Sequence, residues 1–159
     1  TETVNQILDV EQLGCDIVRI AIPDEAAARL LPGIRDQVHI PIVADVHFDH
    51  KLALMALDAG VDGLRINPGN IGDVHKVTEI VHAAAGRRVP IRIGVNSGSL
   101  EKDLVEKYGG ATAEALVESA IRHVRILEDI GHREIKLSVK ASDVERTVAA
   151  YRMLAGMVD

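Results

Sequence analysis

Aromatic side chains are nearly missing from this chain: two tyrosines, one phenylalanine and no tryptophan in 159 residues. Its core must be built from Val, Ile, Leu and Ala. A single cysteine excludes an intramolecular disulfide framework and cannot by itself hold an iron–sulfur cluster. Positive charge is in deficit, with 18 Lys and Arg against 24 Asp and Glu, a formal net charge of −6. That balance argues against a nucleic-acid surface or an anionic membrane as partner, so any basic site must be local. No apolar run approaches the roughly 20 residues that span a bilayer. No secretory signal is visible either, so the location expected from the sequence is cytoplasmic. The length allows one core and is too short for two large domains.

What the chain does have is a recurring phrase, Gly-x-Asp-x-x-Arg-Ile. It reads Gly14-Cys15-Asp16-Ile17-Val18-Arg19-Ile20 and again Gly60-Val61-Asp62-Gly63-Leu64-Arg65-Ile66. Looser echoes follow at residues 89–93, with Arg92, and at residues 131–137, with Lys136. Each copy sets a cation inside an apolar, β-branched run that reads as a buried strand. A buried cation needs an anionic partner, so the repeat bears on a ligand as well as on a fold.

Apolar runs alternate with amphipathic stretches. Helices are expected over 1–13, 24–34, 50–59, 73–85, 100–107, 112–130 and 143–157, and strands over 17–22, 41–46, 63–66, 90–95 and 134–139. Residues 67–70 (Asn-Pro-Gly-Asn) read as a turn and 97–99 as a loop. Strict alternation predicts a parallel sheet with right-handed crossovers. Five such strands suit either an open doubly wound sheet or part of a barrel, and strand polarity separates the two. One parity is apolar throughout: Val18, Ile20, Ile22; Ile42, Ala44, Val46; Leu64, Ile66; Ile91, Ile93, Val95; Ile135, Leu137, Val139. The other carries Arg19; Asp45, His47; Arg65, Asn67; Arg92, Asn96; Lys136, Ser138, Lys140. One helix-facing side and one polar interior describe an α/β barrel of the TIM (β/α)8 type, with a site at its C-terminal mouth. Five strands make it a partial barrel with flanking helices, and one strand is expected before Thr1 and two after Asp159.

The interior parity holds Arg19, Arg65, Arg92, Lys136 and Lys140 against Asp45. Glu134 shares the parity of Lys136 and is expected to neutralise it near the barrel floor. Two readings stand: a phosphate or diphosphate clamp, suited to the planar guanidinium fork, or pairing of each cation with acids from further strands. Three arginines on one parity, plus Lys140, favour the clamp. The loops 67–72 and 94–99 lie between strand and helix, where glycines and a helix N-terminus suit an oxyanion, although neither is a nucleotide-binding fingerprint. Asp45 and His47 point the same way at a strand end and form a candidate acid/base or orienting pair. Metal binding by Asp45, His47, Asp49 and His50 is disfavoured, because alternate members face opposite ways, and Asp49 reads as a helix cap. His75, His82, His123 and His132 are expected to be solvated, and Cys15 to be a small packed side chain.

Six phrases, DIVRIAIPD (16–24), PIVADVHFD (41–49), GLRINPGNIG (63–72), PIRIGVNSGSLEKDL (90–104), ALVESAIRHVRILE (115–128) and IKLSVKASDV (135–144), resemble in order the 4-hydroxy-3-methylbut-2-enyl diphosphate synthase family. The resemblance implies a barrel that binds 2-C-methyl-D-erythritol 2,4-cyclodiphosphate in bacterial isoprenoid biosynthesis. By motif match, Arg19, Arg65, Asn67, Arg92, Asn96, Lys140 and Ser142 would hold the substrate, with Asp45 and His47 lining the mouth. It also implies a C-terminal domain, outside this chain, whose [4Fe–4S] cluster takes electrons from flavodoxin or ferredoxin. A head-to-tail homodimer would close that domain over the partner's barrel. This chain alone would then bind no cofactor and show no redox activity. The alternatives are another phosphate-binding barrel enzyme, such as a pterin-diphosphate synthase-like protein, or a non-catalytic phospholigand module.

Overall fold

The computed structural model describes residues 2–158, so the expected helix start at Thr1 lies outside the described residues. Alternation is strict until the third strand. α1 (Glu2–Gln12), β1 (Val18–Ala21), α2 (Glu25–Arg35), β2 (Ile42–Asp45), α3 (His50–Asp58) and β3 (Gly63–Ile66) come first. A one-turn helix, α4 (Pro68–Ile71), precedes α5 (Val74–Arg87) and β4 (Ile91–Asn96). A 3₁₀ turn (Ser97–Ser99), α6 (Lys102–Tyr108), α7 (Ala113–Asp129), β5 (Ile135–Lys140) and α8 (Val144–Leu154) complete the order. The Asn-Pro-Gly-Asn segment is thus a short helix and not a bare turn: Asn67 caps it, accepting from Gly69 N at 3.2 Å, and Pro68 fills its first position.

The five strands are all parallel and lie in the order β1-β2-β3-β4-β5. Each strand therefore neighbours the next in sequence. Constant crossover handedness then places the helices on one face, which is barrel winding; a doubly wound sheet would reverse its order partway. Burial follows the predicted parity. Ile42, Ala44, Leu64, Ile66, Ile91 and Ile93 are completely buried, as are the helix residues Ala53, Ala56, Leu57, Ile80, Ala84, Leu116, Ala120 and Leu127. One aliphatic layer joins sheet to helices. The opposite face carries the polar residues. Among the described residues no helix is long and apolar enough to cross a membrane.

Two sequence expectations fail at histidine. His123 and His132 are buried, at 5% and 3% exposure, not solvated. His123 falls on the core stripe of α7 with Leu116, Ala120 and Leu127, one helical face by spacing. The His132 ring lies 3.2 Å from the Glu134 carbonyl. Glu134 makes no ion pair with Lys136 among the described residues, so that expected neutralisation is absent too.

Candidate functional site

Sheet register sets the site. Asp45, Arg65, Arg92 and Lys136 are successive partners across β2 to β5, one row on the polar face. Arg19 sits two residues lower, opposite Val43, and Asn96 pairs with Lys140 higher up. The parity argument therefore brings Arg19, Asp45, Arg65, Arg92, Asn96 and Lys140 onto one surface, with His47 and Asn67 at its rim.

Asp45 organises two of the cations. Its carboxylate is nearly buried and accepts from Arg65 Nη1 at 2.9 Å, with Arg19 Nε at 3.4 Å. His47 joins them: Nε2 is 3.5 Å from Asp45 Oδ1, and Nδ1 is 3.4 Å from Arg65 Nη1. A guanidinium only donates, so His47 Nδ1 is the acceptor where it meets Arg65. Arg65 itself is only 7% exposed. It lies over Gly94, where a Cβ would fall on the guanidinium group. A buried ion pair of this kind fixes geometry more surely than it adds stability.

The remaining cations have no such partner. Arg92 Nε donates to Ser138 Oγ at 3.2 Å, and Ser138 in turn donates to the Ile93 carbonyl. Among the described residues, Arg92, Lys136 and Lys140 form no ion pair with a carboxylate. Like charges at Arg65, Arg92 and Lys136 stand side by side in the register, an arrangement that an anion would relieve.

The loops behave differently from one another. In the 67–72 loop, Asn67 Oδ1 takes Gly69 N, and the Asn67 carbonyl takes the amides of Asn70 and Ile71, so this turn is closed on itself. Asn67 Nδ2 donates to Ser99 Oγ at 3.3 Å, tying it to the next loop. Asn96 makes no side-chain cap bond to the turn that follows it. Ser142 is exposed beyond the end of β5, while Thr147 binds both the amide and carbonyl of Ala141. Sequence reading missed Gly94, Ser99 and Ser138 as site residues. The parity of Gly94 and Ser138 was a usable signal, since both fall on the polar face.

Fold and site together define a TIM-type α/β barrel segment whose polar face gathers cations along its strands, Arg19, Arg92 and Lys136 near the strand starts and Lys140 at the end of β5. The chain belongs to the GcpE TIM-barrel domain family, whose model matches residues 1–159. It is 61% identical over 157 residues to the 4-hydroxy-3-methylbut-2-en-1-yl diphosphate synthase (flavodoxin) of Geobacter sulfurreducens, covering 99% of this chain and 44% of that protein. A protein of the same name from Listeria monocytogenes is 56% identical, over 94% of this chain and 40% of its own length. The chain thus spans less than half the length of these curated relatives. Among solved structures, dihydropteroate synthase from Clostridium difficile superposes with a TM-score of 0.65 at 15% identity, covering 98% of this chain and 62% of that one. The Yersinia pestis dihydropteroate synthase gives 0.58 at 13% identity, covering 98% and 61%. At those identities the likeness concerns the fold alone.

Proposed function

We propose that these residues form the substrate-holding part of a 4-hydroxy-3-methylbut-2-en-1-yl diphosphate synthase, an oxidoreductase of isoprenoid biosynthesis. The substrate in this reading is 2-C-methyl-D-erythritol 2,4-cyclodiphosphate, and flavodoxin is the electron donor, as the name of the relatives suggests. One observation carries it: among the described residues, Arg92, Lys136 and Lys140 lack carboxylate partners beside an Arg65 that Asp45 holds. Such preset cations suit a diphosphate and stabilise the charge that grows on its leaving oxygen as the ring opens. Arg19, Asn67, Asn96 and Ser142 complete the cradle in this reading. Asp45 orients the two arginines, and His47, half exposed at the rim, lines the same mouth beside them.

The reductive chemistry requires an iron–sulfur cluster, and the residues here do not fit one. Cys15 is the only thiol, bonded to the Ile17 carbonyl at the strand end away from the rim. Cluster ligands would come from polypeptide outside residues 1–159. The same reading places the enzyme in the bacterial cytoplasm as a head-to-tail homodimer, with the cluster domain of one copy over the rim of the other.

The test is Arg92→Ala in the full product of the gene. It is expected to raise KM for the cyclodiphosphate about tenfold or more, or to abolish turnover, because a bidentate charge-assisted contact is lost. Unchanged kinetics would remove Arg92 from the site. The gene beyond the Asp159 codon is expected to encode a Cys-x-x-Cys, a further Cys and a nearby Glu.

A further inference from the structure

Behind the rim a partly buried acid–base pair ties the loop after β4 to α7, with Gly69 of the other rim loop packed against its imidazole, and the function proposed above makes no use of it. His123 Nε2 meets Glu101 Oε1 at 3.1 Å. Glu101 stands at the cap position of α6, yet its side chain makes no cap bond. It turns inward instead, to His123. A carboxylate only accepts, so His123 Nε2 carries the proton. Two atoms are left over: among the described residues, Glu101 Oε2 and His123 Nδ1 are buried without a partner. A buried imidazole with one unsatisfied nitrogen is a poor way to fill a core, where an apolar side chain of similar volume serves better.

Its location supplies a use. Gly69 in α4 lies against the imidazole, where a Cβ would sit 3.4 Å from Nε2. Glu101 ends the loop that follows β4. At the front, Asn67 Nδ2 donates to Ser99 Oγ, and Ser99 Oγ donates to the Asn96 carbonyl at 3.4 Å. The 96–101 loop is therefore held behind by Glu101 on His123, against which Gly69 of the 67–72 loop packs, and in front by Asn67 on Ser99. We propose that Glu101 and His123 are positioning residues that lock these two loops together, so that the rim is preformed before a diphosphate arrives. The proposal rests on the anion-site reading above, since a preformed rim removes the ordering cost of binding.

Glu101→Gln removes the charged half of the pair with little change of shape. His123→Leu removes the ring, and His123→Gln returns an N–H near the place of Nε2. In the gene's full product, amide hydrogen exchange over 67–72 and 96–101 is expected to accelerate about tenfold in Glu101→Gln and His123→Leu, and to recover in His123→Gln, with β2 to β4 unchanged. Inorganic pyrophosphate, titrated calorimetrically, is expected to bind the first two variants about tenfold more weakly. Unchanged exchange in the two loops overturns the inference, whatever pyrophosphate does. Acceleration spread through α7 and the sheet also overturns it, because that marks core packing only. If His123→Leu does not fold, Glu101→Gln decides. A wild-type protein that fails to bind pyrophosphate overturns the anion-site reading instead, and the exchange data still decide the lock.

Discussion

Arg65 is confined on three sides: Asp45 takes its Nη1, His47 borders the same nitrogen, and Gly94 lies beneath the guanidinium. Gly94 needs no unusual backbone, since its φ is not in the left-handed region. Its value is the space it leaves. Gly94→Ala is therefore expected to fold with a loss of about 1–3 kcal/mol, the usual cost of a local overpacking. The added methyl pushes Arg65 off Asp45, so diphosphate affinity is expected to fall about tenfold, one charge-assisted contact. Thermal denaturation and calorimetry on the same variant separate the two effects, and an unchanged affinity would exclude Arg65 as a ligand. The alternation that singles out Arg65 is plain in the sequence, because period two needs only its own strand. The sharing of Asp45 by Arg19 and Arg65 is not plain, because it depends on the register between strands and on side-chain reach. His123 shows the same limit. Its place on the α7 core stripe can be read from Leu116, Ala120 and Leu127, but its partner lies 22 residues earlier in a loop.

The helices meet the mouth with their N-termini already occupied. Asp24, Asp49, Asp73 and Asp143 cap α2, α3, α5 and α8 through their own side chains. Of these, the sequence marked Asp24 and Asp49 as caps, and the four together leave little of these helix N-termini for a ligand, so recognition falls to strand side chains. The short α4 was not legible, because Asn-Pro-Gly-Asn serves a turn and a capped helical turn equally well. α6 is the exception, its cap residue Glu101 drawn inward. Burial pushes the Glu101 carboxyl up, but hydrogen bonds from His123, from its own backbone N–H and from Ser119 outweigh it and hold the group at about 2, below the ordinary 4.5. A carboxyl lowered in the folded state adds stability above its unfolded value, and that stability is lost as pH falls toward the folded value. The stability difference between wild type and Glu101→Gln is expected to be constant above about pH 5 and to shrink between 4.5 and 2. Urea denaturation at stepped pH measures it, and a pH-independent difference would show that Glu101 is not held ionised.

At the scale of the molecule, the sheet among the described residues has β2, β3 and β4 paired on both sides and β1 and β5 paired on one. Unpaired edges carry backbone groups that seek another strand, and the polar face of β1 and β5 lies open beside them. β5 resists this through Lys136 and Lys140, which are exposed and discourage flat edge-to-edge pairing. β1 has only Arg19, and Arg19 is engaged with Asp45. The 159-residue chain by itself is thus expected to associate as its concentration rises, first through β1, and sedimentation across a concentration series measures that. Its affinity for the cyclodiphosphate is expected to fall below that of the gene's full product. With water on the open side, Arg92, Lys136 and Lys140 act in a medium of high dielectric constant, where each ion contact is worth a fraction of its value in an enclosed barrel. Salt separates the two causes of weak binding. An open site loses affinity steeply between low and physiological ionic strength, whereas an enclosed site is screened much less. Equal affinity and equal salt dependence for the short chain and the full product would mean that these five strands already enclose the ligand, and the barrel reading of the site would then be wrong in its most physical part.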